Sequence, residues 1–348
     1  MRIALDASPL IGTRTGIGGF VAGLASRLAE EKGVEVVPYT LSAAARRAGT
    51  VHGRWVPVPA TIAPALWRVA RRPLIERFVG PIDVVHGTNY LVPPARVRRV
   101  VSVYDLSFLD QMHAGRVDRA VRWAVRTGAT VHTMAASVAD EIRTRYPSAR
   151  VVVVPGAVVA QGPRRAPPEG PPVVMALGAT GRRKRIPLLV ESFGRAFPEG
   201  NTTLRIVGPP GDDEEAVARA VAALPDHSAG RVVRVGPVDD ARRDAELQAA
   251  TVLAYPSDYE GFGMPVLEAM AAGVPVVTTD GGSLPEVAGN AARVVPVGDG
   301  EALGCALAEV VASEEEQRRL VAAGLDRVEL FSWERTITGM MGLYGGTE

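Results

Sequence analysis

Two glutamates eight positions apart, Glu260 and Glu268, bracket the stretch EGFGMPVLE, in which a glycine-broken turn leads into a proline-led helix. A carboxylate accepts two hydrogen bonds at once, which suits the paired hydroxyls of a ribose or a hexose. Gly261 and Gly263 permit backbone conformations closed to other residues and let a ligand approach the main chain. Pro265 fits the first turn of a helix, where its missing N–H costs nothing. The spacing predicts a helix over residues 266–272 that stops at Gly273. Unpaired amides at the start of such a helix, with the dipole behind them, make an anion site. Phosphate in the middle and a sugar on either flank describe a nucleotide sugar. The same residues also fit a plain glycine turn followed by a solvated acidic helix, so the spacing alone leaves both readings open.

Such a ligand needs positive charge. The stretch GRRKRIP supplies it just after one apolar run and just before another, with four consecutive basic residues from Arg182 to Arg185. Only Lys32 and Lys184 among the 39 basic residues are lysines. An arginine such as Arg183 can grip a phosphate through two parallel bonds, while Lys184 would supply a compact charge. A solvated basic turn is the alternative. In TGIGGF, at 15–20, Gly16, Gly18 and Gly19 join a first strand to its helix and bring amides to the strand end. They lack the full dinucleotide-binding spacing, and a tight turn accounts for them equally well.

No metal site is evident, because histidines 52, 86, 113, 132 and 227 show no paired ligand spacing. His86 ends a strand, where it either meets an acceptor or serves as a satisfied structural residue. Asp212–Asp213 and Asp239–Asp240 read as helix caps.

The elements that position these residues alternate. RIALDA, VEVVPY, DVVHGT, RVVSVYDL, TVHTMA and VVVVP read as strands of a first half. VVMALG, TLRIVG, VVRVGPV, VLAYPS, VPVVTTD and ARVVPV read as strands of a second. Ile17, Phe20, Val21, Leu24 and Leu28 mark one face of the first helix. Continuous rather than alternating apolar strands imply parallel sheets covered on both faces, hence two doubly wound, Rossmann-like α/β domains. Ligands bind such folds at the carboxyl ends of strands, so a central cleft faced by both domains is the expected site. The proline-rich AQGPRRAPPEGPP, 160–172, breaks the pattern. The expected division is therefore a domain over 1–160, a linker over 161–172 and a domain over 173–331.

Bulk properties exclude other classes. The 348 residues are 47% apolar, enough for full cores, yet no uninterrupted apolar run reaches the length of a membrane span. The N-terminal run is short and broken by Asp6, so it reads as a strand and not as a signal peptide. One cysteine, Cys305, suits a reducing cytoplasm. Residues 1–160 carry 21 basic against 11 acidic side chains and the remainder 18 against 27, so charges of +10 and −9 sum to the net +1. Few aromatics and no RNA motif argue against nucleic acid as a partner.

Taken together, the ordered motifs resemble the retaining glycosyltransferases of family 4, which have the GT-B fold. The likeness spans nearly the whole chain. The family's E-x7-E signature matches Glu260 to Glu268, its R-K pair matches Arg183 and Lys184, and its first glycine loop matches Gly16, Gly18 and Gly19. GSLPEVAGNAA at 282–292 and FSWE at 331–334 look like its downstream pattern. The subgroup it most resembles moves mannose, rhamnose or a related hexose from a nucleoside-diphosphate sugar to a glycan, lipid-linked or small-molecule acceptor, without a metal or other cofactor.

The resemblance implies that Glu268 holds ribose hydroxyls, Glu260 the donor sugar, and Arg183 and Lys184 the diphosphate. It adds Gly261 and the amides of Phe262, Gly263, Met264 and Val266, Pro265 having none. It also implies a last helix, 332–348, packed back on the first domain. Members usually carry a histidine before Asp-Leu in the first domain. Here SVYDLSF places Tyr104 there, beside Asp105, and a phenol is no base near neutral pH. A catalytically weak or inactive sugar-nucleotide-binding protein of the same fold is therefore the alternative. Another enzyme on this fold, an epimerase or a phosphorylase, is a further rival. Finally, Arg116, Arg119, Arg122 and Arg126 recur at helical spacing. They form either a solvated face or a peripheral contact of a cytoplasmic protein with the anionic inner membrane face.

Overall fold

The computed structural model describes residues 1–11, 16–58, 63–107, 114–159 and 170–347. Two compact units divide the chain, Met1–Ala157 with Trp333–Glu348, and Val158–Ser332. Most of the proline-rich stretch lies outside the described residues, as does His113.

The first unit is built on a seven-stranded sheet of β1 (Arg2–Asp6), β2 (Glu35–Thr40), β3 (Arg54–Trp55), β4 (Val84–Gly87), β5 (Arg98–Ser102), β6 (Thr130–Thr133) and β7 (Arg150–Val153). Their order is β3-β2-β1-β4-β5-β6-β7 and every pairing is parallel. Every residue of β4 and β6 is buried, as a sheet covered on both faces requires. Six of these strands are legible from apolar runs, whereas β3 is an addition. Its two residues are too few to show a period, and it forms only by pairing with Tyr39 and Thr40.

Phe20, Val21, Leu24 and Leu28 of the helix Gly16–Glu30 are buried as their spacing predicts, while Ile17 is only half-buried. The helix Trp333–Gly345 belongs to this unit. Trp333 stacks on Phe20 with centroids 5.7 Å apart, and Thr336 Oγ1 donates to Pro155 O at 2.8 Å.

The second unit has six parallel strands, β8 (Val173–Leu177), β9 (Thr203–Val207), β10 (Val232–Gly236), β11 (Val252–Tyr255), β12 (Val276–Thr279) and β13 (Arg293–Val295), in the order β10-β9-β8-β11-β12-β13. Its core joins Val174, Phe193, Leu204, Ile206, Val252, Val277 and Leu307. The strand order reverses between β8 and β11. That switch point is where the loops leaving the two strands diverge and leave a crevice at their carboxyl ends. The two loops are the ones the sequence singles out, Gly178–Lys184 after β8 and Pro256–Gly263 after β11.

Candidate functional site

The loop after β8 closes as a single turn of 3-10 helix, Arg182–Lys184. The Arg182 amide donates to Asp212 Oδ1 at 3.1 Å. Asp212 therefore fixes this turn instead of capping the helix beside it, whereas Asp239 does cap its helix through the Arg242 amide at 2.8 Å. Arg183 and Lys184 then face the loop after β11. Lys184 Nζ reaches Glu260 Oε1 at 2.6 Å, and Arg183 reaches Glu260 Oε2 at 2.7 Å and Tyr259 O at 2.6 Å. Ser257 Oγ donates to the same Oε1 at 2.6 Å. Arg183 O accepts from the amide of Asp258 at 2.8 Å, so the two loops are joined through main chain as well as side chains.

Glu260 is only 6% exposed. Burial pushes its carboxyl up, but the charges of Lys184 and Arg183 more than offset this and hold it below the usual glutamate range. Burial pulls the Lys184 ammonium below the ordinary lysine range, and Glu260 only partly restores it. The result is a buried carboxylate gripped by two cations, at the point where Gly261 turns the chain toward the helix.

That helix spans Met264–Ala271, two residues earlier than the sequence spacing predicts, because Gly263 at φ +91° can serve as its cap without strain. No side chain caps this end. The Val266 amide donates to Gly263 O at 3.0 Å. Its hydrogen is therefore already engaged within the first turn. The amides of Phe262, Gly263 and Met264 lie ahead of it in the chain. Phe262 itself is buried edge-on against Phe331.

Glu268 follows within the helix. Its carboxylate comes within 4.0 Å of Arg243 on the neighbouring helix Asp240–Ala249. Burial raises its pKa, Arg243 only partly counters this, and Asp244 and Asp240 push the same way. A carboxylate whose burial is only partly compensated by its one arginine neighbour at 4.0 Å is a candidate functional group.

Gly282, the first residue of the downstream pattern at 282–292, and Gly281, which that pattern does not include, complete the loop cluster. A Cβ on Gly282 would lie 2.5 Å from Glu260 O, and φ there is +62°. Close approach at this point lets Ser283 donate to Glu260 O through both its amide and its hydroxyl, each at 2.9 Å. Adjacent glycines after a strand were the available signal.

The remaining candidates lie in the first unit. Gly16, Gly18 and Gly19 occupy the first turn of their helix rather than a loop before it, with Gly16 and Gly19 exposed and Gly18 buried. Tyr104 is 5% exposed and packs edge-on to Phe20, Tyr90 and His132. Burial pushes its phenol well above the usual range, so it stays protonated. Asp105 Oδ1 accepts from Tyr90 OH at 3.1 Å and from the Ser107 amide and hydroxyl.

His86 is not an accessible acceptor contact. It is fully buried, with Nδ1 2.8 Å from Tyr344 OH and Nε2 2.8 Å from Ser102 Oγ. Ser102 Oγ lies 2.8 Å from His132 Nδ1, and His132 Nε2 lies 3.0 Å from Val154 O. A carbonyl can only accept, so the donors along this chain run one way, from Tyr344 to Val154, with both imidazoles neutral. Burial lowers both, His132 to about 4. Arg122, finally, pairs with Asp118 one turn earlier at 3.1 Å and lies over Tyr146, with its side chain 37% exposed.

The model of the glycosyl transferases group 1 matches residues 161–327 and so contains every element of the second-unit cluster. Those residues, a little under half of the chain, belong to this family. The protein is a glycosyltransferase. The O-antigen chain mannosyltransferase B of Escherichia coli is 27% identical over 282 residues, 75% of this chain and 74% of that protein. The MMP alpha-(1->4)-mannosyltransferase of Mycolicibacterium hassiacum is 33% identical over 169 residues, 46% and 39% of the two chains. Among solved structures, the glycosyltransferase superposes on sucrose-phosphate synthase from Thermosynechococcus elongatus with a TM-score of 0.78 at 20% identity, covering 99% and 98% of the chains. It superposes on WaaG, a glycosyltransferase involved in lipopolysaccharide biosynthesis, at 0.74 and 15%, covering 99% and 100%. At these identities the structural likeness speaks to the GT-B fold.

Proposed function

We propose that this glycosyltransferase moves a hexose, with mannose first among the candidates, from a nucleoside-diphosphate sugar to a glycan, lipid-linked or small-molecule acceptor with retention of configuration and without a metal. The observation that carries the reading is the buried Glu260 carboxylate held between Lys184 and Arg183 beside the uncapped start of the helix Met264–Ala271. Two cations and a helix terminus in one place suit a diphosphate, and the adjacent carboxylates suit hydroxyls on either side of it.

As the anomeric bond breaks, positive charge grows on the sugar ring and negative charge on the departing diphosphate. Donors already oriented toward that charge stabilise it without reorganising, an effect worth about 2–4 kcal/mol per donor. Lys184 and Arg183 would stabilise the leaving diphosphate, Glu260 would hold donor-sugar hydroxyls, and Glu268 the ribose. The names of the mannosyltransferase relatives favour mannose.

A thermal-shift panel of GDP-mannose, UDP-glucose and dTDP-rhamnose tests the donor, because a ligand that binds only the folded state raises its stability by mass action. Stabilisation by one of them, with retained anomeric configuration in the product by NMR, supports the proposal. Binding with no turnover toward any acceptor or water would favour the weak or inactive reading, which the phenol of Tyr104 keeps in view.

On the acceptor side, Leu66 and Val69 are exposed on the helix Ala63–Ala70, Val69 by 82%. Trp67 of that helix packs on Trp123 of the helix Ala114–Arg126, whose Arg116, Arg119 and Arg126 are exposed. Apolar tips beside arginines favour a peripheral contact with an anionic bilayer. No helix among the described residues is long and apolar enough to cross a membrane. Co-sedimentation with vesicles should rise with their anionic lipid content, and indifference to that content would remove the membrane from the account.

A further inference from the structure

Tyr255, the last residue of β11, takes no part in the roles assigned above, yet it sits against the central cation. Its side chain is buried, 2% exposed, and its hydroxyl accepts a hydrogen bond from Lys184 Nζ. The same ammonium lies 4.3 Å from the Tyr255 ring centroid, within cation–π range. Lys184 Nζ also donates to Glu260 Oε1 at 2.6 Å. An ammonium has three N–H groups, so the phenol and the carboxylate engage two of them and leave the third for an incoming oxyanion.

We propose that Tyr255 is a positioning residue that fixes the Lys184 ammonium, in place and in its charged form, for the donor diphosphate. The inference rests on the reading of Lys184 given under Proposed function. A lysine stem has four rotatable carbons and would otherwise explore several rotamers, so fixing its tip lowers the entropy lost when the ligand binds.

The environment explains why a neutral holder is needed. The charged and titratable groups facing Lys184 are Glu260 and Arg183, with Tyr255 itself beneath and Glu268 beyond Tyr255. Burial and Arg183 both disfavour the ammonium, and Glu260 alone would have to offset them. A second carboxylate in that place would repel the diphosphate. A phenol held well above its usual pKa by burial accepts from the ammonium without adding negative charge.

The test is a double-mutant cycle read by calorimetric titration with GDP and with UDP, between pH 6 and 9.5. Tyr255→Phe keeps the ring and its packing and removes only the hydroxyl. It should weaken binding about tenfold near pH 7.5, as for loss of one hydrogen bond to a charged group. The alkaline fall in affinity should also begin at lower pH, because the ammonium loses a group that favours its charged form. In a Lys184→Met background the same change should have no further effect, since a residue that acts only through lysine has nothing left to position.

Additive losses in the double variant, or an unchanged pH profile, would overturn the proposal, since a merely structural tyrosine would show either. Thermal melts of each variant exclude unfolding as the cause of weakened binding. If Lys184→Met itself binds like the wild type, or the wild type binds neither nucleotide, the proposed function falls. If Lys184→Met loses affinity while Tyr255→Phe does not, only the role of Tyr255 falls.

Discussion

Replacing Glu260 with glutamine separates two things that the structure merges, the stability of the second unit and the readiness of its cations. Glutamine keeps the shape and can still accept one bond from Lys184 and one from Ser257, but the charge is gone. Breaking a buried ion pair costs about 3–5 kcal/mol when a charge is left alone. Here the lower end applies, because the glutamine still accepts and Arg183 is 39% exposed, so its share is screened by water. An expected loss of about 2–3 kcal/mol corresponds to a melting temperature about 5–10 °C lower for a domain of this size.

The pH dependence follows from the direction of the shift. Glu260 has a depressed pKa in the folded protein, so its contribution is complete above the unfolded value, about 4.3, and disappears as pH falls through the folded one. The gap between wild type and variant should therefore be widest near pH 6–7 and close in strong acid. Nucleoside-diphosphate affinity should move the other way. With the Glu260 charge gone, its hold on Lys184 and Arg183 weakens and its repulsion of a diphosphate ends, so GDP or UDP should bind on the order of tenfold more tightly, while turnover of the sugar nucleotide falls. A variant that binds the free diphosphate no better than wild type, or whose melting gap persists unchanged at pH 3, would refute the argument that Glu260 holds the cations while no ligand does.

Glu268→Gln should behave differently. A carboxyl whose pKa is raised by burial destabilises the fold once ionised, so the variant should melt at the same or a higher temperature near pH 7 while binding nucleotide about tenfold more weakly, both readable in one calorimetric series. Gly282→Ala should cost roughly 2–4 kcal/mol in chemical denaturation and abolish transfer, since the added Cβ meets the Glu260 carbonyl at a positive φ. Tyr344→Phe removes the donor to buried His86 Nδ1, so the first unit should lose about 1–3 kcal/mol with nucleotide affinity unchanged. Asp6, buried with Ser8 as the one residue among those described that bonds to its carboxylate, should titrate by carbon-detected NMR at about 6, and Asp6→Asn should stabilise the first unit above that pH.

Local pattern carried much of this structure. Twelve strands announce themselves as β-branched runs, because a parallel sheet buried on both faces leaves little room for polar residues. The helix after the glycine turn is equally visible, since Gly263 and Pro265 have few other uses in that order. What the sequence hides is long-range pairing. The bond from Lys184 to Glu260 spans 76 residues, and nothing local tells that the acid meets the lysine before any ligand does. Tyr255 reads as one more apolar strand residue until the turn after β8 is laid over it. His86 and Tyr344, 258 residues apart, are invisible as a pair for the same reason. Helical spacing does not show that Arg122 pairs with Asp118 one turn earlier and lies over Tyr146 on another element.

A diphosphate seated between Lys184 and the start of the helix Met264–Ala271 underlies every role proposed for this site. A crystal structure of the protein soaked with GDP or UDP measures this directly. The expected result is a phosphate oxygen within about 3 Å of Lys184 Nζ, hydrogen-bond distance for a charged pair, and another facing the Gly263 and Met264 amides. A nucleotide bound with its phosphates away from both, and with Lys184 still closed on Glu260, would contradict it.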